Sequence, residues 1–431
     1  MTLPIHNQTL CEGVKFLSLP DDRFKTVCLT VALFLPLEEA TASEQAILPF
    51  LLRRGCAAYP DFTALNRQLN RLYGARVSGE VSRIGESQVL LLRASSIDDR
   101  YALDGEPVSA AVAELLRGML FEPALENDLF READIEQERR CLLEEIESEI
   151  NEKRLYARHQ CEKLVCEGER YAVNRYGTVD GVKALTARQI TDAWKRVLAT
   201  ARVQIIYQGN QDSAAISAAF AAAFNAFERA PVTCGTEPAM PQRDAELKNR
   251  TEEMAVNQCK MVLGFRLGIT EPAKQALSAR LMNALFGATP YSMLFKNVRE
   301  KMSLCYYCSS TYDRFKGILL VDCGVEYDMI DKARSEILRQ LRLLQGGIVT
   351  DEDLESARRA VITQFSSVDD LQSTQSGWYL GYALLPDFVT PVQAADHLAD
   401  VTLAEVVAVA KKVTLDAVYI LKGTEGGETD E

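Results

Sequence analysis

The sequence predicts an α+β protein made of two homologous domains in tandem, each a mixed or antiparallel sheet packed with helices. Three observations predict it. Strand-like runs come in pairs and are separated by runs of helices, unlike the strict alternation of a doubly wound parallel fold. The stretch PVTCGTEPAMP (Pro231–Pro241) carries three prolines, which block both helix and ladder, and it divides the 431 residues into near-equal halves. EADIEQERR (Glu132–Arg140) aligns without a gap to DEDLESARR (Asp351–Arg359) at a constant offset of 219. The expected organisation is therefore a domain over residues 1–230, a linker over 231–241 and a second domain over 242–431.

In the first half, TVCLTVALFLPL (Thr26–Leu37) reads as a buried strand, because its apolar run is too short to span a bilayer. SEQAILPFLLRRG (Ser43–Gly55) reads as a helix. ARVSGEVSRIGESQVLLLRAS (Ala75–Ser95) reads as two strands joined by a turn. Further amphipathic helices and a late strand, VQIIYQGN (Val203–Asn210), complete the half. The second half repeats the order with QCKMVLGFRLGI (Gln258–Ile269), AKQALSARLMNALFG (Ala273–Gly287), CYYCSSTYDRFKGILLVDCGV (Cys305–Val325) and AVYILKG (Ala417–Gly423). The last residues, GTEGGETDE, read as a frayed acidic end.

Composition narrows the function. A net charge of −13 with no basic block argues against a nucleic-acid partner. MTLPIHNQTLCEGVKF lacks the charged start and apolar stretch of a secretory signal, so a cytoplasmic protein without a membrane anchor is expected. The eleven scattered cysteines read as reduced thiols. Cys305 and Cys308 hold the C-x-x-C spacing of a redox pair. They fall in a strand-like run rather than at a helix start, so buried thiols are expected; Cys161 and Cys166 are a weaker pair.

QERRCLLEEIESE (Gln137–Glu149) is dense with carboxylates. Glu138 and Glu145 are seven residues apart and so share one helix face, roughly 10 Å along the axis. They read either as half of a metal site or as an acidic face without ligand function. A catalytic zinc needs about three protein ligands. The three histidines, His6, His159 and His397, offer no i, i+4 pair.

ERRCLLEE (Glu138–Glu145) and LFKNVREKMSLCYY (Leu294–Tyr307) together resemble the insulinase/pitrilysin metallopeptidases, inverzincins, in their short two-domain form with the LuxS/MPP-like fold. The resemblance covers the whole chain. It implies zinc ligands from an H-x-x-E-H helix and from the second glutamate of an E-x6-E pair. Glu145 would then be the ligand and Glu138 its supporting carboxylate. Alignment on Gly55 sets Ala46, Pro49 and Phe50 where His, Glu and His would stand, so those functional groups are absent. The resemblance thus implies no metal in this chain.

Arg299 and Tyr306 keep the family's spacing for an arginine and a tyrosine that stabilise the reacting peptide carbonyl, with Ser303 replacing a usual glycine. Apart from the resemblance, Arg299 reads as a surface partner of an acid such as Glu300, and Tyr306 as a side chain packed on the sheet. A chain with the Arg/Tyr half alone resembles the non-catalytic subunit of a heterodimer whose homologous partner carries H-x-x-E-H and the zinc. RFKTVCL (Arg23–Leu29), LNRLYGARVSGEVSRIGESQ (Leu69–Gln88) and INEKRLYAR (Ile150–Arg158) resemble the YmfF-like subgroup, which implies a link to elongation factor P modification; related pairs imply leader-peptide processing. Arg299 and Tyr306 would act in trans on a peptide or protein substrate. The alternatives are a purely structural family member, a scaffold for a modification enzyme and a self-sufficient protease. A homodimer of the isolated chain is compatible with the family's self-complementary faces.

Overall fold

A computed structural model describes residues 5–242 and 246–423. The segment after Gly423, expected to fray, lies outside them. The chain forms two compact units, each built from separate pieces of sequence. The first comprises Met1–Ile146, Val173–Gly235 and Gln372–Leu384; the second comprises Glu147–Ala172, Thr236–Leu371 and Leu385–Glu431.

The first unit contains β1 (His6–Cys11), β2 (Val14–Leu19), β3 (Thr26–Pro36), β4 (Arg76–Ile84), β5 (Ser87–Ile97), a short ribbon of β6 (Leu125–Glu126) and β7 (Leu129–Phe130), and β8 (Arg202–Gln208). Its six-stranded sheet runs β1-β2-β8-β3-β5-β4, antiparallel except for the β2/β8 pair. β3 lies between β8 and β5 and is buried along nearly its whole length, as a continuous run of Leu, Val, Ala and Phe requires when both sheet faces are covered. β4 is the edge strand and carries the charged, half-exposed residues expected there. Phe16, Leu29, Val31, Leu90, Leu116, Ile205 and Phe224 belong to the core of this unit.

The second unit contains β9 (Lys248–Met254), β10 (Cys259–Arg266), β11 (Tyr307–Asp313), β12 (Ile318–Val325) and β13 (Thr414–Gly423). Its sheet runs β11-β12-β10-β13-β9, antiparallel except for β13/β9. Read from the opposite edge, the first sheet has the same order of hairpin, central strand, late strand and parallel neighbour, with β1 added. The chain is therefore an α+β protein with one topology used twice.

The aligned motifs repeat at atomic detail. Ile135 and Leu354 are both buried near the start of their helices, Glu132–Asn151 and Asp351–Ser366. Arg139 pairs with Glu136 and donates to the Leu185 carbonyl at 2.7 Å; Arg358 pairs with Glu355 and donates to the Leu398 carbonyl at the same distance.

Each sheet also receives a helix from the other half of the sequence. In the second unit, Lys153–Val165 lies directly on β10. A Cβ added at Gly264 would stand 2.3 Å from a Val165 methyl and 2.9 Å from the Cys161 sulfur. In the first unit, helix Gln372–Leu380 docks by polar contacts. Gln208 donates to Gln375 Oε1 at 2.6 Å and to the Gln372 carbonyl at 2.9 Å, and Gln372 exchanges two 2.8 Å bonds with Thr26. Among the described residues no helix is long and apolar enough to cross a membrane.

Candidate functional site

The region aligned with the zinc helix is not one helix. It forms α1 (Glu39–Ala46) and α2 (Leu48–Leu52), interrupted at Ile47. Pro49 accounts for the break, since it has no N–H to donate and its ring collides with the carbonyl four residues back. Ala46 and Pro49 are buried and Phe50 is half-buried, with the Arg53 guanidinium 5.6 Å above its ring. α2 also presses on the sheet edge. A Cβ at Gly79 of β4 would stand 2.2 Å from the Pro49 carbonyl oxygen, so the glycine is what permits the close approach.

The two glutamates of the opposing helix have parted company. Glu145 is exposed, whereas Glu138 is buried, with 3 % of its side chain accessible. Arg54, just past α2, donates to Glu138 Oε1 at 2.8 Å and to Asp134 Oδ1 at 2.8 Å. Arg53 lies 3.5 Å from Glu138 Oε2, and Arg131 donates to Asp134 at 2.7 Å. Burial alone would lower the Arg54 pKa; the Glu138 and Asp134 carboxylates more than reverse this and raise it.

A zinc ion does not fit this donor set. The three aligned side chains offer no ligand atom, and the buried carboxylate is committed to an arginine. Among the described residues no group of three or more His, Cys, Asp or Glu is arranged to hold a metal ion. Arg54 was not singled out from sequence. Its signal, a double arginine before Gly55, has meaning only once the helix bearing Glu138 is seen to face it.

Arg299 and Tyr306 lie in the second unit. Arg299 ends a π-helical stretch, Leu294–Lys301; its guanidinium stacks 4.6 Å from the Phe295 ring and its Nε lies 3.6 Å from Glu300 Oε1. Its side chain is 41 % exposed. The chain then passes Ser303 at φ 48°, the left-handed region that favours glycine. Tyr306 is 62 % exposed rather than packed on the sheet. Its N–H donates to the Gly324 carbonyl at 2.9 Å and its hydroxyl to Glu326 Oε1 at 2.9 Å. The hydrogen bond to Glu326 raises the phenol pKa, which keeps the hydroxyl protonated and able to donate.

Residues 184–361 match the family model described as "Peptidase M16 inactive domain". The chain is 29 % identical over 406 residues to the "Probable inactive metalloprotease YmfF" of Bacillus subtilis, covering 94 % of this chain and 95 % of that one. Over these spans the chain is similar to inactive members of the M16 peptidase family. It is also 22 % identical, over 94 % of its length and 99 % of the relative, to the "Antilisterial bacteriocin subtilosin biosynthesis protein AlbE" of the same organism. Its fold matches a conserved protein from Enterococcus faecalis, with a TM-score of 0.90, 24 % identity and coverage of 98 % and 100 % of the two chains. Its likeness is to the inactive kind: an Arg–Glu ion pair stands at the glutamate helix, and the positions aligned with H-x-x-E-H hold Ala46, Pro49 and Phe50.

Proposed function

We propose that this chain is the non-catalytic subunit of a heterodimeric M16 peptidase, contributing Arg299 and Tyr306 to a site whose zinc and H-x-x-E-H motif belong to a homologous partner. The carrying observation is the contrast between the two motifs: Ala46, Pro49 and Phe50 stand where the H-x-x-E-H side chains would, leaving Glu145 without histidine co-ligands, while the Arg and Tyr stand at family spacing with exposed side chains. A guanidinium and a phenol can both donate to a peptide carbonyl as it becomes a tetrahedral oxyanion. No hydrogen bond from the Arg299 guanidinium is made among the described residues, so its N–H groups are available. Tyr306 reaches a substrate by exchanging Glu326 for the carbonyl. On this reading the two repeats, 1–230 and 242–431, flank the 231–241 linker, and the subunit works in the cytoplasm. The substrate is a peptide or protein; the likeness to a bacteriocin biosynthesis protein supports a role in maturing a peptide product, and leader-peptide processing or a role beside elongation factor P modification is what the sequence resemblance implies.

A second reading, a purely structural or scaffolding subunit, is favoured by the Arg299–Glu300 and Tyr306–Glu326 contacts, which give both side chains work within their own unit. The test is reconstitution with an H-x-x-E-H-bearing homologue and a peptide substrate. Arg299→Ala or Tyr306→Phe is expected to leave the pair assembled and to lower turnover about 100- to 1,000-fold, as loss of an oxyanion donor does. Full activity with both side chains removed would leave the structural reading standing. The chain alone is expected to bind no stoichiometric zinc and cleave no peptide.

A further inference from the structure

To reach a substrate carbonyl, Tyr306 has to give up Glu326. The strands hold these two residues firmly beside each other. Tyr307 lies opposite Gly324 in the β11/β12 ladder, and the Tyr306 N–H donates to the Gly324 carbonyl at 2.9 Å. Glu326 follows directly after β12, and its Oε1 accepts from the Tyr306 hydroxyl at 2.9 Å. The Glu326 backbone carbonyl accepts from the Met329 N–H at 3.0 Å, but the side chain makes no capping bond to the turn Tyr327–Met329.

Glu326 is exposed, and among the described residues its carboxylate enters no ion pair. Two nearby cations are committed elsewhere. Arg299 faces Glu300 at 3.6 Å. Lys422 lies 5.7 Å from the ring of Tyr327, the residue after Glu326, and is paired with Glu253 at 2.8 Å. Once Tyr306 turns away, Glu326 is a bare carboxylate beside the phenol that donates to a developing oxyanion. Two negative charges that close repel, and the more so as substrate displaces water. Donation by Tyr306 therefore calls for a cation at Glu326, and the described residues of this unit supply none.

We infer that the substrate supplies it: the peptide handled at this site carries an ammonium or guanidinium group beside its scissile bond, and that group replaces the Tyr306 hydroxyl on the Glu326 carboxylate. Glu326 then acts twice. It holds the phenol before binding and exchanges it for the cation on binding, so a basic substrate releases the donor that its own carbonyl needs. A neutral or acidic peptide leaves Glu326 uncompensated, and Tyr306 stays with it. The exposed rings of Tyr306 and Tyr327 add π faces that favour such a cation, as the position of Lys422 over Tyr327 illustrates. The inference rests on the proposed role of Tyr306 and adds to it the charge of the substrate.

The test uses the full chain reconstituted with an H-x-x-E-H-bearing homologue, a chymotryptic digest of casein as the probe, and mass spectrometry to locate the cuts. Lys and Arg should be enriched beside the cuts about two- to fivefold, the effect of one exposed ion pair. Acetylating all amines should abolish the enrichment for Lys and spare it for Arg. Loss on acetylation of α-amines alone would instead identify the peptide N-terminus as the source of the cation. Glu326→Gln should bring the enrichment close to one, and Glu326→Lys should transfer it to Asp and Glu. A merely structural role for Glu326 would change rates but not these ratios. The inference alone is overturned if Tyr306→Phe slows the pair while both Glu326 variants keep the parental ratios. It is also overturned if the parental pair shows no enrichment, since the cation would then come from the partner subunit. If Arg299→Ala and Tyr306→Phe both leave turnover unchanged, the proposed function falls and takes the inference with it.

Discussion

Replacing Arg54 by Met tests whether an ion pair now holds together what the family's zinc site would. Glu138 is 3 % exposed and Arg54 19 %, and only Arg53, at 3.5 Å, would remain beside the stranded carboxylate. Breaking a fully buried pair costs about 3–5 kcal/mol. The partial exposure of Arg54 and the nearness of Arg53 reduce the expectation to about 2–4 kcal/mol. Asp134 contributes little to the loss, since it keeps Arg131 at 2.7 Å. Removing both partners, as Arg54→Met with Glu138→Leu, should recover most of the loss, because an apolar pair leaves no buried charge unmatched. The assay is urea unfolding followed by tryptophan fluorescence. Both tryptophans, Trp194 and Trp378, fall in the first unit, so the signal reports the unit that holds the pair. The reasoning fails if Arg54→Met unfolds within about 0.5 kcal/mol of the parent, the ordinary scatter of surface substitutions. It also fails if the double variant is no more stable than the single.

Gly79→Ala should destabilise the first unit by about 1–3 kcal/mol, the usual range for overpacking, because the new methyl meets the Pro49 carbonyl; thermal unfolding measures it, and an unchanged midpoint counts against direct seating of α2 on β4. Ser303→Gly should raise stability by up to about 1 kcal/mol, since relief of the left-handed strain exceeds the extra chain entropy of glycine; a loss would show that the serine side chain matters more than its φ. Burial alone would raise the pKa of Glu169, but Lys316 at 2.5 Å and Arg266 at 2.9 Å hold it below the ordinary 4.5. Its stabilisation is therefore complete above the unfolded value and is lost as pH falls through the depressed folded one. Glu169→Gln should lower the melting temperature at neutral pH and flatten its fall below about pH 4.5, and parallel melting curves for the two proteins would refute this.

Much of the fold could be read from the chain because the signals were local. β3 and β10 are mostly apolar strands, and the two hairpins are strand pairs around short turns. What escaped was non-local. Helix Lys153–Val165 buries only Ala157, Cys161 and Val165, a thin stripe of small side chains that says nothing about which sheet it covers. For Glu138, sequence offered a metal or an acidic face without ligand function. Its partner, Arg54, is more than eighty residues away and is matched only through the tertiary fold. That Ala46, Pro49 and Phe50 offer neither a ligand nor a general base was plain from residue type, once the resemblance had assigned them the H-x-x-E-H positions. The nearby Glu300 was foreseeable as a neighbour of Arg299, whereas Glu326 meets Tyr306 only because β12 runs back beside β11.

The interleaved make-up of the two units sets a schedule for the growing chain. The strands of the first sheet have all been synthesised by Gln208, yet the helix that covers Gln208 and Thr26 begins at Gln372. At ribosomal speeds of about 5–20 residues per second, the interval from Gly235 to Leu384 lasts roughly 7–30 s. Throughout it, the nascent first unit must wait with part of its sheet uncovered. A chain cut at the linker would never close that face, so the halves are expected to be poor candidates for separate expression and the whole chain a natural client of chaperones that hold unfinished sheets.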